Sequence, residues 1–270
     1  MERYRYITFL TDFGLQDDFV GVCHGVMARI APDARVIDVT HGIAAQGVLQ
    51  GGLVLANALP YLPVAVHLAV VDPGVGGERR AIAIATSDGR TFVGPDNGLL
   101  TVAADARDID AVHELTERRY HLDRVSRTFH ARDVFAPVSA HIAAGVALAD
   151  LGPAVDPARL TRIVVPEPEL GRTGVRATVV AIDRFGNIQL NLPAEHLQGD
   201  RAPGERVEIR LQLDAYFAQV AETFADALPG ELIVYGDSYG SVSIALSNGN
   251  AAGLTGARPG DVIRISPARE

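Results

Sequence analysis

The chain has no lysine, no tryptophan and one cysteine, and no apolar run long enough to cross a bilayer. All 24 cationic side chains are arginine. The missing amine excludes Schiff-base chemistry, including a pyridoxal phosphate anchor. It also excludes a standard Walker A loop, which needs its Lys. Cys23 alone forms no internal disulfide and builds no thiolate metal site. It stands in an apolar helical stretch and reads as a buried structural thiol. Without Trp, stacking on a planar ligand falls to Phe or Tyr. A membrane span needs roughly 18 apolar residues, so no membrane partner is expected. Residues 1–5 pass straight into a strand-like run at 6–10 with no signal-peptide core, and a cytoplasmic location is the expectation. The net charge of −9 argues against nucleic acid as a partner.

What is present is enough for a substantial core. The 270 residues are 48% hydrophobic, which fits one large domain or two ordinary ones. Strands are expected at 6–10, 35–39, 64–71, 81–85 and 91–93, and helices at 18–30, 46–59 and 133–145. This alternation predicts an α/β domain over 1–151 with a mostly parallel sheet and flanking helices. Ligands then collect at the carboxyl ends of the strands. Residues 152–173 carry Pro153, Pro157, Pro166 and Pro168 with no helical period, and read as a linker. From 174 to 270 the pattern turns strand-rich, interrupted by one helix expected around 216–228. That predicts a smaller antiparallel β-barrel domain.

Two short segments concentrate polar chemistry. Asp72 closes the run 64–71 and Arg79 follows in Asp72-Pro73-Gly74-Val75-Gly76-Gly77-Glu78-Arg79. His130 lies in Arg127-Thr128-Phe129-His130-Ala131-Arg132-Asp133. A strand-end carboxylate, an Arg and a His from another loop are able to orient and deprotonate one water. A turn with a surface ion pair explains the same residues. Thr11-Asp12-Phe13-Gly14 with Asp17 and Asp18 reads as N-capping, for which Asp18 is the candidate, or as a Mg or Ca cluster. Asp38-Val39-Thr40-His41 ends the second strand, and His41 reads as structural. Gly94-Pro95-Asp96-Asn97-Gly98-Leu99 reads as a turn into a helix, with Asn97 a minor site candidate. Asp183-Arg184-Phe185-Gly186-Asn187 reads as a tight turn. Phe224 reads equally as a core aromatic or a stacking ring. No Gly-x-Gly-x-x-Gly follows the first strand, so a dinucleotide site of that type is absent.

These blocks, with Asn250-Ala251-Ala252 near the end, together resemble the S-adenosyl-L-methionine hydrolases. Those enzymes, also called hydroxide adenosyltransferases, are related to fluorinases and chlorinases. The resemblance covers nearly the whole chain. It implies an α/β domain, a β-barrel domain and a homotrimer with each site at a subunit interface. It implies hydrolysis of S-adenosyl-L-methionine to adenosine and methionine by water held at Asp72, Arg79 and His130, with no metal and no cofactor. Asp12 would take the ribose hydroxyls, and Asp17 would face the methionine portion. Gln46 stands where halogenating relatives carry Trp, and Phe129 would line the pocket. Asp183, Asn187 and Ser238 would bind the methionine amino and carboxylate groups, with Phe185 as a wall. Phe224 would stack on adenine, and Ser247 to Ala251 would meet its edge.

Halogenases of this family carry an aromatic residue in place of Asp72, and an ionised carboxylate repels halide while accepting a hydrogen bond from water. The residues therefore favour hydrolase over halogenase. A non-catalytic sensor of the same ligand has no need of a polar trio beside the reacting carbon. A metal-dependent phosphoesterase ranks last.

Overall fold

The computed structural model describes residues 3–198 and 202–268. The chain forms two compact units, Met1–Ile163 and Val164–Glu270.

In the first unit β1 (Tyr6–Thr11), α1 (Phe19–Ile30), β2 (Arg35–Thr40), α2 (Val48–Ala58) and β3 (Val66–Val70) alternate. β4 (Ala81–Thr86), β5 (Thr91–Pro95), α3 (Leu99–Ala104), β6 (Ile109–Glu114) and α4 (Ala136–Ala143) complete it. The sheet order is β2-β1-β3-β5-β4-β6. β1 pairs in parallel with β2 and β3, and β3 with β5, while β4 runs antiparallel to β5 and β6. β3 is buried along its whole length, as a strand covered on both faces must be. Cys23 and Met27, one helical turn apart, turn α1 onto one face, where α4 joins them in a single core. Leu55 of α2 and Leu99 and Ala103 of α3 fill the other face. β2 and β3 flank β1 on opposite sides, so the carboxyl end of β1 is a switch point where a crevice opens. Thr11 pairs with Val70 there, bringing Asp12 and Asp72 to neighbouring strand ends.

Residues 152–163 pack with this unit rather than crossing as free chain. Ala154 bridges to His113, Leu160 is buried, and the Thr161 amide donates to Asp96 Oδ1 at 2.9 Å.

The second unit contains β7 (Glu169–Gly171), β8 (Gly174–Ile182), β9 (Ile188–Pro193), α5 (Glu195–Gln198), β10 (Arg206–Leu211) and β11 (Asp214–Val220). β12 (Leu232–Gly236), β13 (Ser241–Leu246), α6 (Ala251–Thr255) and β14 (Val262–Pro267) follow. The order β14-β10-β11-β12-β13-β9-β8 closes through a β14–β8 pairing into a seven-stranded barrel, and β7 adds outside β8. All barrel pairings are antiparallel except β11–β12, which is parallel. Alternate residues such as Val207, Ile209 and Leu211 fill the interior.

Three expectations need correction. Residues 216–228 are not a helix: β11 occupies their first part and a single 3₁₀ turn, Phe224–Asp226, lies in their last part. Full-length pairing of β11 to β10 outweighs the helical preference of an Ala-containing segment. Asp18 stands at the start of α1 but makes no capping bond. Its backbone is already helical, at φ −78° and ψ −1°, which withholds the extended geometry a cap requires. Residues 131–135 form one turn of wide π-type helix ahead of α4.

His67 is the one polar side chain inside β3. Its Nδ1 lies 2.8 Å from Thr8 Oγ1, and its ring stacks on Phe92 at 5.1 Å. Burial, with the charge of Arg90 second, pushes its pKa down to about 3. Below the free imidazole value the unfolded chain therefore binds a proton that the folded chain refuses. Stability is full above about pH 6.5 and drains as pH falls from there toward 3. In urea titrations, His67→Phe should reduce the loss of stability between pH 6 and 5 by about 1 kcal/mol relative to the parent chain. Equal losses in the two proteins would contradict this.

Candidate active site

The loop after β3 turns through Asp72, Gly74 and Gly76. Gly76 has φ +75°, and a Cβ there would sit 2.2 Å from the Arg127 carbonyl oxygen. Only glycine permits this approach, which brings the 127–130 segment against the Asp72 loop. Asn97 fixes the strand end, because its Nδ2 donates to the Val71 carbonyl at 2.8 Å. Asp133, fully buried, accepts from the Ser126 amide at 2.7 Å and pins the far end of the His130 loop.

Within this frame Arg79 joins the other two residues. Its Nε donates to both Asp72 oxygens at 3.1 and 3.0 Å, and its Nη2 donates to Oδ2 at 2.5 Å. The same Nη2 lies 2.8 Å from His130 Nδ1. The Asp72 side chain is 6% exposed, and the guanidinium lies 5.2 Å from the Phe135 ring centre. A guanidinium has donors only, so Nδ1 of His130 accepts, and in the neutral ring Nε2 carries the hydrogen. Burial first, and then the charge of Arg79, lower the His130 pKa. Near neutral pH the ring is uncharged, with one N–H left to offer.

A cavity of about 270 Å³ opens beside this trio. Asp12, Gln46, Asp72, Phe129 and His130 line it, together with Phe13 and others. Arg79 lies behind Asp72 and His130, outside the lining. Asp12 Oδ2 accepts from the Gln46 amide at 2.9 Å, and Gln46 adopts a left-handed backbone, φ 65°, to deliver it. Phe13, Phe19 and Phe129 pack edge to face with centroids 5.3–5.9 Å apart, forming an aromatic wall. Asp17 is exposed and outside this lining.

The second unit carries its own cavity, about 730 Å³, lined by Phe185, Asn187, Phe224 and Ser247 among others. Phe185 and Phe224 are 65% and 52% exposed, and the Phe224 ring meets Tyr235 edge to face at 5.1 Å. Asp183 is spent on its own turn. Its Oδ1 accepts from the Phe185 and Asn187 amides, and its Oδ2 from Asn187 Nδ2. Gly186, at φ +84°, lies so close to the Asn250 side chain that a Cβ there would collide with it. The turn is thereby locked to the start of α6. Ser238 is exposed, and Ala251 is buried at the first position of α6; neither lines the cavity. Ser247 donates to the Ala227 carbonyl at 3.3 Å.

Sequence reasoning missed Ala225 and Ala227 as lining residues because it read a helix there, and Pro229 just beyond it. Phe13 and Val75 lay inside the singled-out segments but carried no reactive group to mark them, and Thr128 was passed over beside His130.

Comparison with known proteins places this geometry in a family. A relative from Salinispora tropica, named (R)-S-adenosyl-L-methionine hydrolase, is 50% identical over 262 residues, covering 97% of each chain. A fluorinase from Actinopolyspora mzabensis is more distant, at 27% identity over 96% of each chain. The crystal structure of an uncharacterized conserved protein from Thermotoga maritima superposes with a TM-score of 0.89 and 37% identity, over 96% of this chain and 99% of that one. Residues 7–152 match the SAM hydroxide adenosyltransferase N-terminal domain and residues 177–264 its C-terminal domain. On the match of both domains, the chain belongs to the SAM hydroxide adenosyltransferase family.

Proposed function

We propose that this protein hydrolyses S-adenosyl-L-methionine to adenosine and L-methionine. The carrying observation is the Arg79 guanidinium bridging Asp72 and His130 at the wall of a cavity that also holds Asp12. In the reaction a water oxygen bonds to the ribose 5′ carbon as the carbon–sulfur bond breaks. The bonding pair stays on sulfur, which leaves as a neutral thioether and needs no acid. No cofactor enters this reading. Asp72 takes the water proton. His130 donates from Nε2 to the water oxygen, because its Nδ1 is occupied by Arg79. Arg79 acts through the other two and touches no substrate atom. The protein contributes placement, desolvation and a fixed proton acceptor.

Asp12 Oδ1 is left for the ribose hydroxyls, since Gln46 occupies only Oδ2. Phe129 and Gln46 border the same cavity. Phe185 and Phe224 serve as adenine walls, with Asn187 and Ser247 beside them. Asp183 sets the Asn187 amide rather than meeting the ligand with a free carboxylate. Asp17, Ser238 and Ala251 stay assigned by resemblance alone. The reading includes a cytoplasmic homotrimer in which the first cavity of one copy meets the second cavity of a neighbour.

Incubation with both sulfonium epimers in heavy-oxygen water, with and without chloride, tests the reaction. Label should enter adenosine at the 5′ hydroxyl whether chloride is present or not. A halogenated nucleoside would replace this reading with a halogenase, and tight binding without turnover would replace it with a sensor.

Asp72→Asn should lower kcat by about 10²–10⁴ with little change in KM, the range expected for a lost proton acceptor. His130→Gln keeps a donor near Nε2 and should cost less. An equal or greater loss in His130→Gln would make His130 the base. Because the His130 pKa lies below 6.5, activity should hold at neutral pH and fall on the acid side below that value. The acid limb should move to lower pH in His130→Gln.

Sedimentation equilibrium should return three times the chain mass. A fully active monomer would refute the shared site.

A further inference from the structure

His24 on α1, Asp38 in β2 and His41 just beyond it bring three ligand-type atoms within 4.8 Å of one another. No other such group of three exists among the described residues. His24 Nε2 lies 2.8 Å from Asp38 Oδ1, and His41 Nε2 lies 3.1 Å from the same oxygen. The His24 contact has hydrogen-bond geometry. The His41 contact does not: Nε2 is buried without a hydrogen-bond partner, in a side chain only 3% exposed. With a carboxylate oxygen 3.1 Å away and no hydrogen bond spent on it, this nitrogen is free to ligate an ion seated to one side of the two atoms. The other nitrogen of His41 is held, with Nδ1 2.8 Å from Thr11 Oγ1, and Phe9 meets the ring edge to face at 4.8 Å. A ligating histidine is normally fixed in this way, through its second nitrogen.

We propose that His24, Asp38 and His41 form a binding site for one divalent first-row transition-metal ion, with zinc the best fit. Two imidazoles and one carboxylate are the donors that zinc, cobalt and nickel accept. His24 and Asp38 are partly exposed, so rotation of the His24 ring closes the triangle around an ion about 2.1 Å from each atom, and solvent water takes the fourth position. The site is separate from the Asp72 cavity, and the ion takes no part in the chemistry there. Its reach is mechanical. The His41 carbonyl accepts from the Gly14 amide at 2.7 Å, and Thr11 precedes Asp12. An ion at this position would brace the turn that presents Asp12.

The test uses untagged full-length protein dialysed against chelator and titrated with Co²⁺, whose visible bands report coordination number. One equivalent should bind with the strong absorption of a four-coordinate site. His24→Ala and Asp38→Ala should each weaken Co²⁺ binding by about 10-fold or more. Both side chains are partly exposed, so these variants should fold, which circular dichroism is to check. Zn²⁺ should raise the thermal midpoint of the parent chain and leave that of His24→Ala unmoved. Binding weaker than about 1 mM (ΔG near −4 kcal/mol) would overturn the proposal, as would binding that survives both substitutions. Neither readout depends on hydrolysis of S-adenosyl-L-methionine, so failure here leaves the proposed reaction standing, and the reverse also holds.

Discussion

One guanidinium organises the candidate site. Arg79 donates to both oxygens of Asp72 and, through Nη2, to His130, so two chain segments distant in sequence meet on one planar group. Burial, with the charge of Arg79 second, holds His130 neutral, and the donor-only chemistry of the guanidinium fixes which nitrogen of that ring carries hydrogen. Breaking a buried pair of this kind by removing one partner costs about 3–5 kcal/mol, because the other charge is left unpaired away from water. The pair therefore contributes to local stability as well as to the site. The glycine approach at Gly76 and the Asn97 clamp on Val71 exist in service of that contact: each fixes a backbone whose displacement would pull Asp72 or His130 off the guanidinium.

The two units present different problems to a ligand. The first offers carboxylates, an imidazole and a tight aromatic wall. The second offers open rings and a rigid turn, in which Asp183 spends its acceptors on neighbouring amides and on Asn187.

Much of this was legible in the residues. β3 announced itself as a near-continuous apolar run, and Asp12 and Asp72 fell at neighbouring strand ends as a parallel sheet requires. The trio Asp72, Arg79 and His130 meets as its motifs suggested. What sequence concealed was set by partners distant in the chain. β11 carries a helix-tolerant composition, and only its pairing with β10 makes it a strand. β6 escaped notice because Asp110, His113 and Glu114 break its apolar pattern. Asp18 had the chemistry of a cap but not the backbone angle. The fixed tautomer of His130 follows from an atom-to-atom contact that no spacing encodes.

Cys23 closes the account from another direction. Its thiol is buried in the α1–α4 core, and burial pushes its pKa up to about 12. It is therefore inert to alkylating reagents in the folded protein. With no competing thiol in the chain and no lysine amine anywhere, a cysteine introduced on either unit becomes a unique chemical handle. Fluorophores or spin labels can be set on the Asp183 turn or beside the Asp12 loop without first stripping the native residue. The approach of each cavity to its ligand then becomes an optical or magnetic measurement.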